Sequence, residues 1–226
     1  MTQTEIKKLV AEKAVEFVTD GMIVGLGTGS TAFWAIQRLG QRVSEGLKIE
    51  AVASSLASEE LAKKLNIPIR SFAGIGEIDI TIDGADEVDR HHNLIKGGGG
   101  ALLREKIIAY NSKRFFVVVD EAKVVEELGS FPLPVEILPF AYELTLRQLT
   151  ALGCDPEIRT TDGKVFVSDN GSLIADCAFG KIEYPLTLEK QLQEIPGVIE
   201  TGLFLNTMVD SVFIGYKNGA VLRKQH

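Results

Sequence analysis

Four segments of this 226-residue chain hold the residue types from which an anion site and a proton-transferring group can be built. The first, Gly25-Leu26-Gly27-Thr28-Gly29-Ser30-Thr31, lies between a β-branched run and an amphipathic one. Glycines there let backbone N–H groups approach an anion, and a helix N-terminus adds its positive dipole end. Thr28, Ser30 and Thr31 add hydroxyl donors. The spacing also fits a dinucleotide fingerprint, except that Ser30 stands where a third glycine is expected. The next predicted strand runs into Ala53-Ser54-Ser55, with no carboxylate to hold a ribose. A phosphate cradle is the preferred reading, with a dinucleotide site and a plain tight turn as rivals.

The second segment is Ile80-Thr81-Ile82-Asp83-Gly84-Ala85-Asp86-Glu87, where carboxylates follow the C-terminal end of a predicted strand. Open α/β sheets place their ligands at that edge, although Asp-Gly pairs also mark solvated turns and acid clusters also bind Mg²⁺. His91 and His92 follow; in an extended strand they would face opposite sides, so they are poor co-ligands and no metal site is expected. The third segment, Leu94-Ile95-Lys96-Gly97-Gly98-Gly99-Gly100-Ala101, is a second glycine nest with a cation at its mouth, running into a helix that carries Glu105. One helical turn either side of Glu105 stand Ala101, Leu102, Ile108 and Ala109, none able to pair with it. A carboxylate on such a stripe is expected to have a raised pKa and to serve as a base, unless it merely answers the helix N-terminus. The fourth segment, Phe115 to Lys123, is another strand emptying into a loop. Lys123 could reach an anion from that edge, though most lysines are simply solvated.

The elements that must carry these segments alternate. Helical patterns at 4–17, 31–39 and 58–65 interleave with strand patterns at 22–26, 49–53, 78–82 and 115–119, which argues for an open, Rossmann-like parallel sheet with helices on both faces. Only Pro68 precedes residue 132, whereas six prolines fall between 132 and 196, so a boundary is expected near Gly129 to Pro139. Beyond it come a helix at 142–152, strands at 157–160, 164–168 and 173–177 joined by Asp162-Gly163 and Asn170-Gly171 turns, a helix at 186–194 and a strand at 198–203. That order suggests a smaller ferredoxin-like α+β domain. Residues 211–223 form a last hairpin able to rejoin the first sheet. The expected division is therefore 1–130 with 205–226, and 131–204. The smaller domain holds no motif and is expected to serve association rather than chemistry.

Composition narrows the partners. A net charge of −7 gives no long-range attraction for nucleic acid or an acidic membrane, so an anion must be held locally. Cys154 and Cys177 are too few for a disulfide framework or a thiolate cage, and no apolar run is long enough to span a bilayer. A cytoplasmic location is expected.

In order and spacing, the blocks Gly27-Thr28-Gly29-Ser30-Thr31, Asp83-Gly84-Ala85-Asp86-Glu87, Lys96-Gly97-Gly98-Gly99 with Leu103-Arg104-Glu105-Lys106, Asp120-Glu121-Ala122-Lys123 and Phe131-Pro132-Leu133-Pro134-Val135-Glu136 resemble the signature blocks of A-type ribose 5-phosphate isomerases. The resemblance covers nearly the whole chain, including Ile195-Pro196-Gly197-Val198 and Gly202-Leu203-Phe204; Gly100 departs from it by replacing an alanine. It implies interconversion of D-ribose 5-phosphate and D-ribulose 5-phosphate through an enediol(ate), in the pentose phosphate pathway and without a cofactor. Glu105 would then be the base, with Lys96 and the Gly97 to Gly99 amides stabilising the enediolate oxygen. Asp83 and Asp86, flanking Gly84 and Ala85, would hold sugar hydroxyls. Thr28, Gly29, Ser30 and Thr31 would bind the phosphate, helped by Lys123 and Lys7. A homodimer or homotetramer is expected. A phosphosugar-sensing domain and a CoA-transferase-like enzyme with a nucleophilic glutamate are the competing functions.

Overall fold

Uninterrupted β-branched and aromatic runs predict strands buried on both faces, and Phe115–Asp120 is buried along its whole length. The computed structural model describes residues 1–225. In chain order the elements are α1 (Gln3–Val15), β1 (Ile23–Leu26), α2 (Ser30–Ser44), β2 (Glu50–Ala53), α3 (Leu56–Lys64), β3 (Ile80–Asp83), β4 (Glu87–Val88), β5 (Leu94–Ile95), α4 (Leu102–Tyr110), β6 (Phe115–Asp120), β7 (Leu133–Ile137), α5 (Tyr142–Ala151), β8 (Asp155–Ile158), β9 (Thr160–Thr161), β10 (Lys164–Val165), β11 (Leu173–Ala178), α6 (Pro185–Gln193), β12 (Val198–Thr201), β13 (Leu203–Phe204), β14 (Ser211–Gly215) and β15 (Val221–Gln225). They divide into two compact units. The first holds Met1–Ala85, Arg104–Val124 and the chain from Thr207 on; the second holds Asp86–Leu103 and Val125–Asn206. Residues 86–103 and 125–130, expected with the larger domain, thus belong to the second unit.

The first unit is built on a six-stranded sheet ordered β2-β1-β3-β6-β14-β15, parallel except for the terminal β15. Counted along the sheet's own strands this is 2-1-3-4-5-6, the doubly wound order 2-1-3-4-5 extended by the antiparallel edge strand, with the switch point between the first and third strands. The main core, from Val10 and Ala14 through Leu26, Ile36 and Leu39 to Ile82, Phe116 and Phe213, joins α1 and α2 to the sheet. A smaller cluster of Val52, Ile78 and Ile108 forms with α4. Helix α2 runs on to Ser44, past the expected end at Leu39. Gly40, which in sequence resembles a C-terminal stop, is instead where Leu65 packs: a Cβ there would stand 2.6 Å from Leu65 Cβ.

The second unit carries a four-stranded antiparallel sheet ordered β12-β7-β11-β8. With α5 and α6 this is β-α-β-β-α-β in the order 4-1-3-2, the ferredoxin-like arrangement, and Cys154 and Cys177 sit in its apolar core. The β9–β10 hairpin turns at Asp162-Gly163, with both φ values positive, as the Asp-Gly signal predicts. Strand β7 was not expected, because Pro132 and Pro134 argue against an interior strand. It exists because the carbonyl of Pro134 accepts from Gly202 N at 2.7 Å, so the missing N–H of Pro134 faces the edge where β12 has already ended at Thr201. No ladder bond is lost. Residues 203–204 leave this sheet to pair with β5 in a three-stranded sheet, β13-β5-β4, so the strand expected over 198–203 is two.

Candidate active site

In the first unit the switch point places the carboxyl ends of β1 and β3 side by side, with Leu26 paired to Ile82. One step further, Gly27 meets Asp83: a Cβ at Gly27 would lie 2.1 Å from Asp83 Oδ1, so only glycine fits. Asp83 is 1% exposed, and its Oδ1 accepts from Thr28 N at 3.0 Å and Gly84 N at 2.7 Å. The carboxylate therefore braces the glycine loop from within. The Thr28 hydroxyl lies 2.7 Å from Ser54 Oγ and 2.9 Å from Ser55 Oγ, while Ser58 Oγ donates to the Gly27 carbonyl at 2.7 Å. Thr28 was expected to offer its hydroxyl to an anion; the structure instead ties it to the serines that follow β2.

The mouth of this loop keeps its donors. Gly29, the N-cap of α2, sits at φ +104°, a conformation reserved for glycine, and has no side chain to satisfy the first-turn N–H groups. Ser30 is exposed and accepts from Lys7 Nζ at 3.0 Å; Thr31 is buried behind it. Lys7 thus reaches the loop from α1. Lys123 is half-buried in a 3₁₀ turn after β6, which the Asp120 side chain caps through Ala122 N. Glu105 stands in the first turn of α4 and is 5% exposed, with Leu102, Ile108 and Ala109 likewise buried.

The remaining expected residues lie in the second unit. Glu87 pairs with Ile95, so Asp86 and Lys96 flank the next antiparallel step, and Asp86 N donates to the Ile95 carbonyl at 2.8 Å. Lys96 is 2% exposed, its Nζ 5.4 Å from the Phe204 ring centroid. Lys96 N donates to Gly202 O, and a Cβ on Gly202 would strike the Lys96 carbonyl at 2.3 Å. Gly98 N donates to Asp86 Oδ2 at 2.7 Å, and a Cβ at Gly98 would meet both Asp86 oxygens.

The acids from the end of β3 onward therefore have separate duties. Asp83 braces the first glycine loop and Asp86 meets the second, whereas buried Glu87 accepts from Gly129 N and Phe131 N, both at 2.6 Å, and so ties down the loop before β7. His91 and His92 are not in an extended strand. They occupy the turn between β4 and β5, with His92 at φ +66° and the turn held by Asp89. Among the described residues no three His, Cys, Asp or Glu side chains are grouped to hold a metal, and no helix is long and apolar enough to cross a membrane.

Sequence reading missed two sets of participants. Ser54, Ser55 and Ser58 were visible only as the absence of a ribose-binding acid. Arg159 donates to the carbonyls of Gly97 and Gly98 from a segment with no motif, and nothing in the local sequence marks it.

A family model described as ribose 5-phosphate isomerase A (phosphoriboisomerase A) matches residues 50–219. The ribose-5-phosphate isomerase A of Bacillus mycoides is 52% identical over 215 residues, spanning 95% of this chain and 97% of the relative. Among solved structures, ribose 5-phosphate isomerase A from Methanocaldococcus jannaschii is similar with a TM-score of 0.94 at 42% identity, covering 100% of both chains. A D-ribose-5-phosphate isomerase in complex with phospho-erythronic acid is similar with a TM-score of 0.96 at 39% identity, again over 100% of both.

Proposed function

The chain belongs to the ribose 5-phosphate isomerase A family, and we propose that Glu105 is the base with which it interconverts D-ribose 5-phosphate and D-ribulose 5-phosphate. The observation that carries this role is a carboxylate buried to 5% in the first turn of the helix opened by the glycine run. Glu105 takes the proton from C2 of the open-chain aldose, leaving an enediolate, and returns it to C1 to give the ketose; the hydroxyl proton moves from O2 to O1. So weak a carbon acid needs preorganised positive charge and N–H donors at the developing oxyanion, and Lys96 with the Gly97 to Gly99 run is the set assigned to it, the Gly98 N–H acting through the Asp86 carboxylate it holds. Asp83, while bracing its loop through Oδ1, and Asp86 are assigned to the sugar hydroxyls and to ring opening.

The phosphate is assigned to the N-terminus of α2, on Gly29, Ser30 and Thr31 next to Thr28, whose own N–H is held by Asp83; the glycine N-cap leaves helix N–H groups for an anion. Lys7, already on Ser30, and Lys123 supply the cations that a chain of net charge −7 must concentrate there. Held at that end, the substrate meets the base with its other end, which is the positional part of catalysis. The phospho-erythronic acid held by one solved relative supports the reading, since its carboxylate presents the planar pair of oxygens that an enediolate also presents.

The test is ketose formation from ribose 5-phosphate in chelator without nicotinamide cofactor, comparing the wild type with Glu105→Gln. Removing a general base costs roughly 10²–10⁴ in rate, so the variant is expected to fold normally and lose at least that much kcat; unchanged turnover refutes the role. Ketose release in that assay also separates an isomerase from a phosphosugar sensor or a CoA transferase. We further infer a cytoplasmic enzyme of the non-oxidative pentose phosphate pathway that assembles as a homodimer or homotetramer. Phe140, 88% exposed, and the exposed Tyr110 and Tyr184 support assembly, which sedimentation tests.

A further inference from the structure

We propose that Arg159, in the ferredoxin-like unit, is a positioning residue for the isomerisation: anchored on Asp176, it grips the carbonyls of Gly97 and Gly98 and so aims the amides of the glycine run and the Asp86 carboxylate. The inference rests on the assignment of Lys96, Gly97 to Gly99 and Asp86 to the reacting end of the sugar.

Every nitrogen of the guanidinium is engaged. Nε donates to Asp176 Oδ2 at 2.9 Å, Nη2 pairs with Asp176 Oδ1, and Nη1 donates to Gly97 O at 2.7 Å and Gly98 O at 3.1 Å. The anchor itself does not move freely. Arg159 N donates to Ile174 O and its carbonyl accepts from Phe166 N, both at 2.9 Å, and Asp176 lies within β11. Phe166 closes the other side: its ring centroid is 6.0 Å from the guanidinium carbon, and a Cβ on Gly100 would stand 2.4 Å from the ring.

Peptide planarity turns this grip into aim. The Gly97 carbonyl and the Gly98 N–H belong to one planar unit and point oppositely, as do the Gly98 carbonyl and the Gly99 N–H. Drawing both carbonyls onto Nη1 therefore directs both amides away from Arg159, and the Gly98 N–H does land on Asp86 Oδ2 at 2.7 Å. Four successive glycines have no side chains to fix them and the largest backbone entropy to lose. Gly98 and Gly99 are exposed, so the loop needs an external clamp to present its donors in one direction. Only a planar fork serves; a lysine is a point charge and cannot hold the carbonyls and the carboxylate together.

The test uses the full chain with Arg159→Ala, Arg159→Lys and Asp176→Asn, read by thermal unfolding, kcat, KM and inhibition by inorganic phosphate. Since displacing reacting groups by about 1 Å costs ~10²-fold, kcat is expected to fall roughly 10- to 100-fold in all three. Phosphate inhibition stays unchanged, because the phosphate loop lies in the other unit. Guanidinium ion added to Arg159→Ala is expected to restore part of kcat, whereas Arg159→Lys gives no rescue. Should Arg159→Ala fail to fold, the other two variants carry the test. Retention of kcat in a folded variant overturns the proposal, as does a fall in kcat matched by an equal loss of phosphate inhibition and of folded protein. Wild-type chain that makes no ketose would instead overturn the reading of the activity on which this rests.

Discussion

Replacing Gly27 by alanine adds one methyl group and drives it into the Asp83 carboxylate. Its backbone is not in the left-handed region, so alanine is conformationally acceptable and the effect is purely steric. The new Cβ would stand 2.1 Å from Asp83 Oδ1, where ordinary contact begins near 3.4 Å, so the carboxylate must retreat by about 1 Å or more. That movement breaks the bonds from Thr28 N and Gly84 N to the same oxygen. Hydrogen bonds to a charged acceptor contribute roughly 1.5–3 kcal/mol each, so the two together set a cost of about 3–6 kcal/mol, against a total stability typically of about 5–15 kcal/mol. Gly29→Ala is the comparison. Its Cβ enters open space but its backbone must hold φ +104°, a strain of about 1–3 kcal/mol. Urea unfolding at constant m-value measures both. A double-mutant cycle with Asp83→Ala then isolates the clash, because removing the carboxylate makes room for the methyl and most of the Gly27→Ala cost disappears. If Gly27→Ala is no more destabilising than Gly29→Ala, or if the cycle shows no coupling, the account of Asp83 as the internal brace of the loop is wrong.

Lys7→Ala tests the phosphate end. The ammonium sits on Ser30 at a partly exposed place, so about 1 kcal/mol of charge-assisted binding is at stake, and KM is expected to rise roughly five-fold with kcat unchanged; initial rates over a substrate series decide, and an unmoved KM removes Lys7 from the site. Asp79→Asn tests acid stability. The Lys113 ammonium at 2.9 Å and then the Ile23 N–H hold the Asp79 carboxyl below its ordinary value, so the contribution is present above the unfolded value and is lost as pH falls through the folded one. Because the pair is solvent-facing it is worth at most about 1 kcal/mol; urea midpoints should separate the two proteins at neutral pH and converge once the pH has fallen through the lowered folded value. Equal separation at both ends contradicts the linkage.

Periodicity showed most of the fold, and the exceptions share a cause. The alternation of helices and strands in the first unit, the Asp162-Gly163 hairpin and the return of the C-terminal hairpin to the sheet are local patterns, legible because each element's partner preference is written in its own residues. Strand β7 was hidden because proline is normally excluded from sheet interiors, and it is tolerated only because β12 stops at Thr201, a fact about another segment. Gly40 resembled a helix stop and is a contact for Leu65. In each case the residue obeys its tertiary neighbour rather than its sequence neighbours.

The site divides in the same way. Glycines beside hydroxyls announce an anion cradle because the chemistry needs those types contiguously, and the burial of Glu105 followed from four apolar residues one helical turn away. What spacing could not assign was which polar groups face the ligand and which brace the loop. Thr28, Asp83 and Glu87 are all motif residues, yet the Thr28 hydroxyl is spent on serines from another loop and Glu87 on the amides before β7. The hardest case is the glycine run. Its four residues advertise flexibility, whereas amides that stabilise an oxyanion must be still before the reaction begins. Stillness has to come from outside the run, and the group placed to supply it is an arginine 62 residues away in sequence. A segment without a motif of its own can therefore matter to catalysis by removing freedom from the residues that touch the substrate, and the measurement that separates this from mere scaffolding is a fall in kcat at Arg159 with the phosphate end undisturbed.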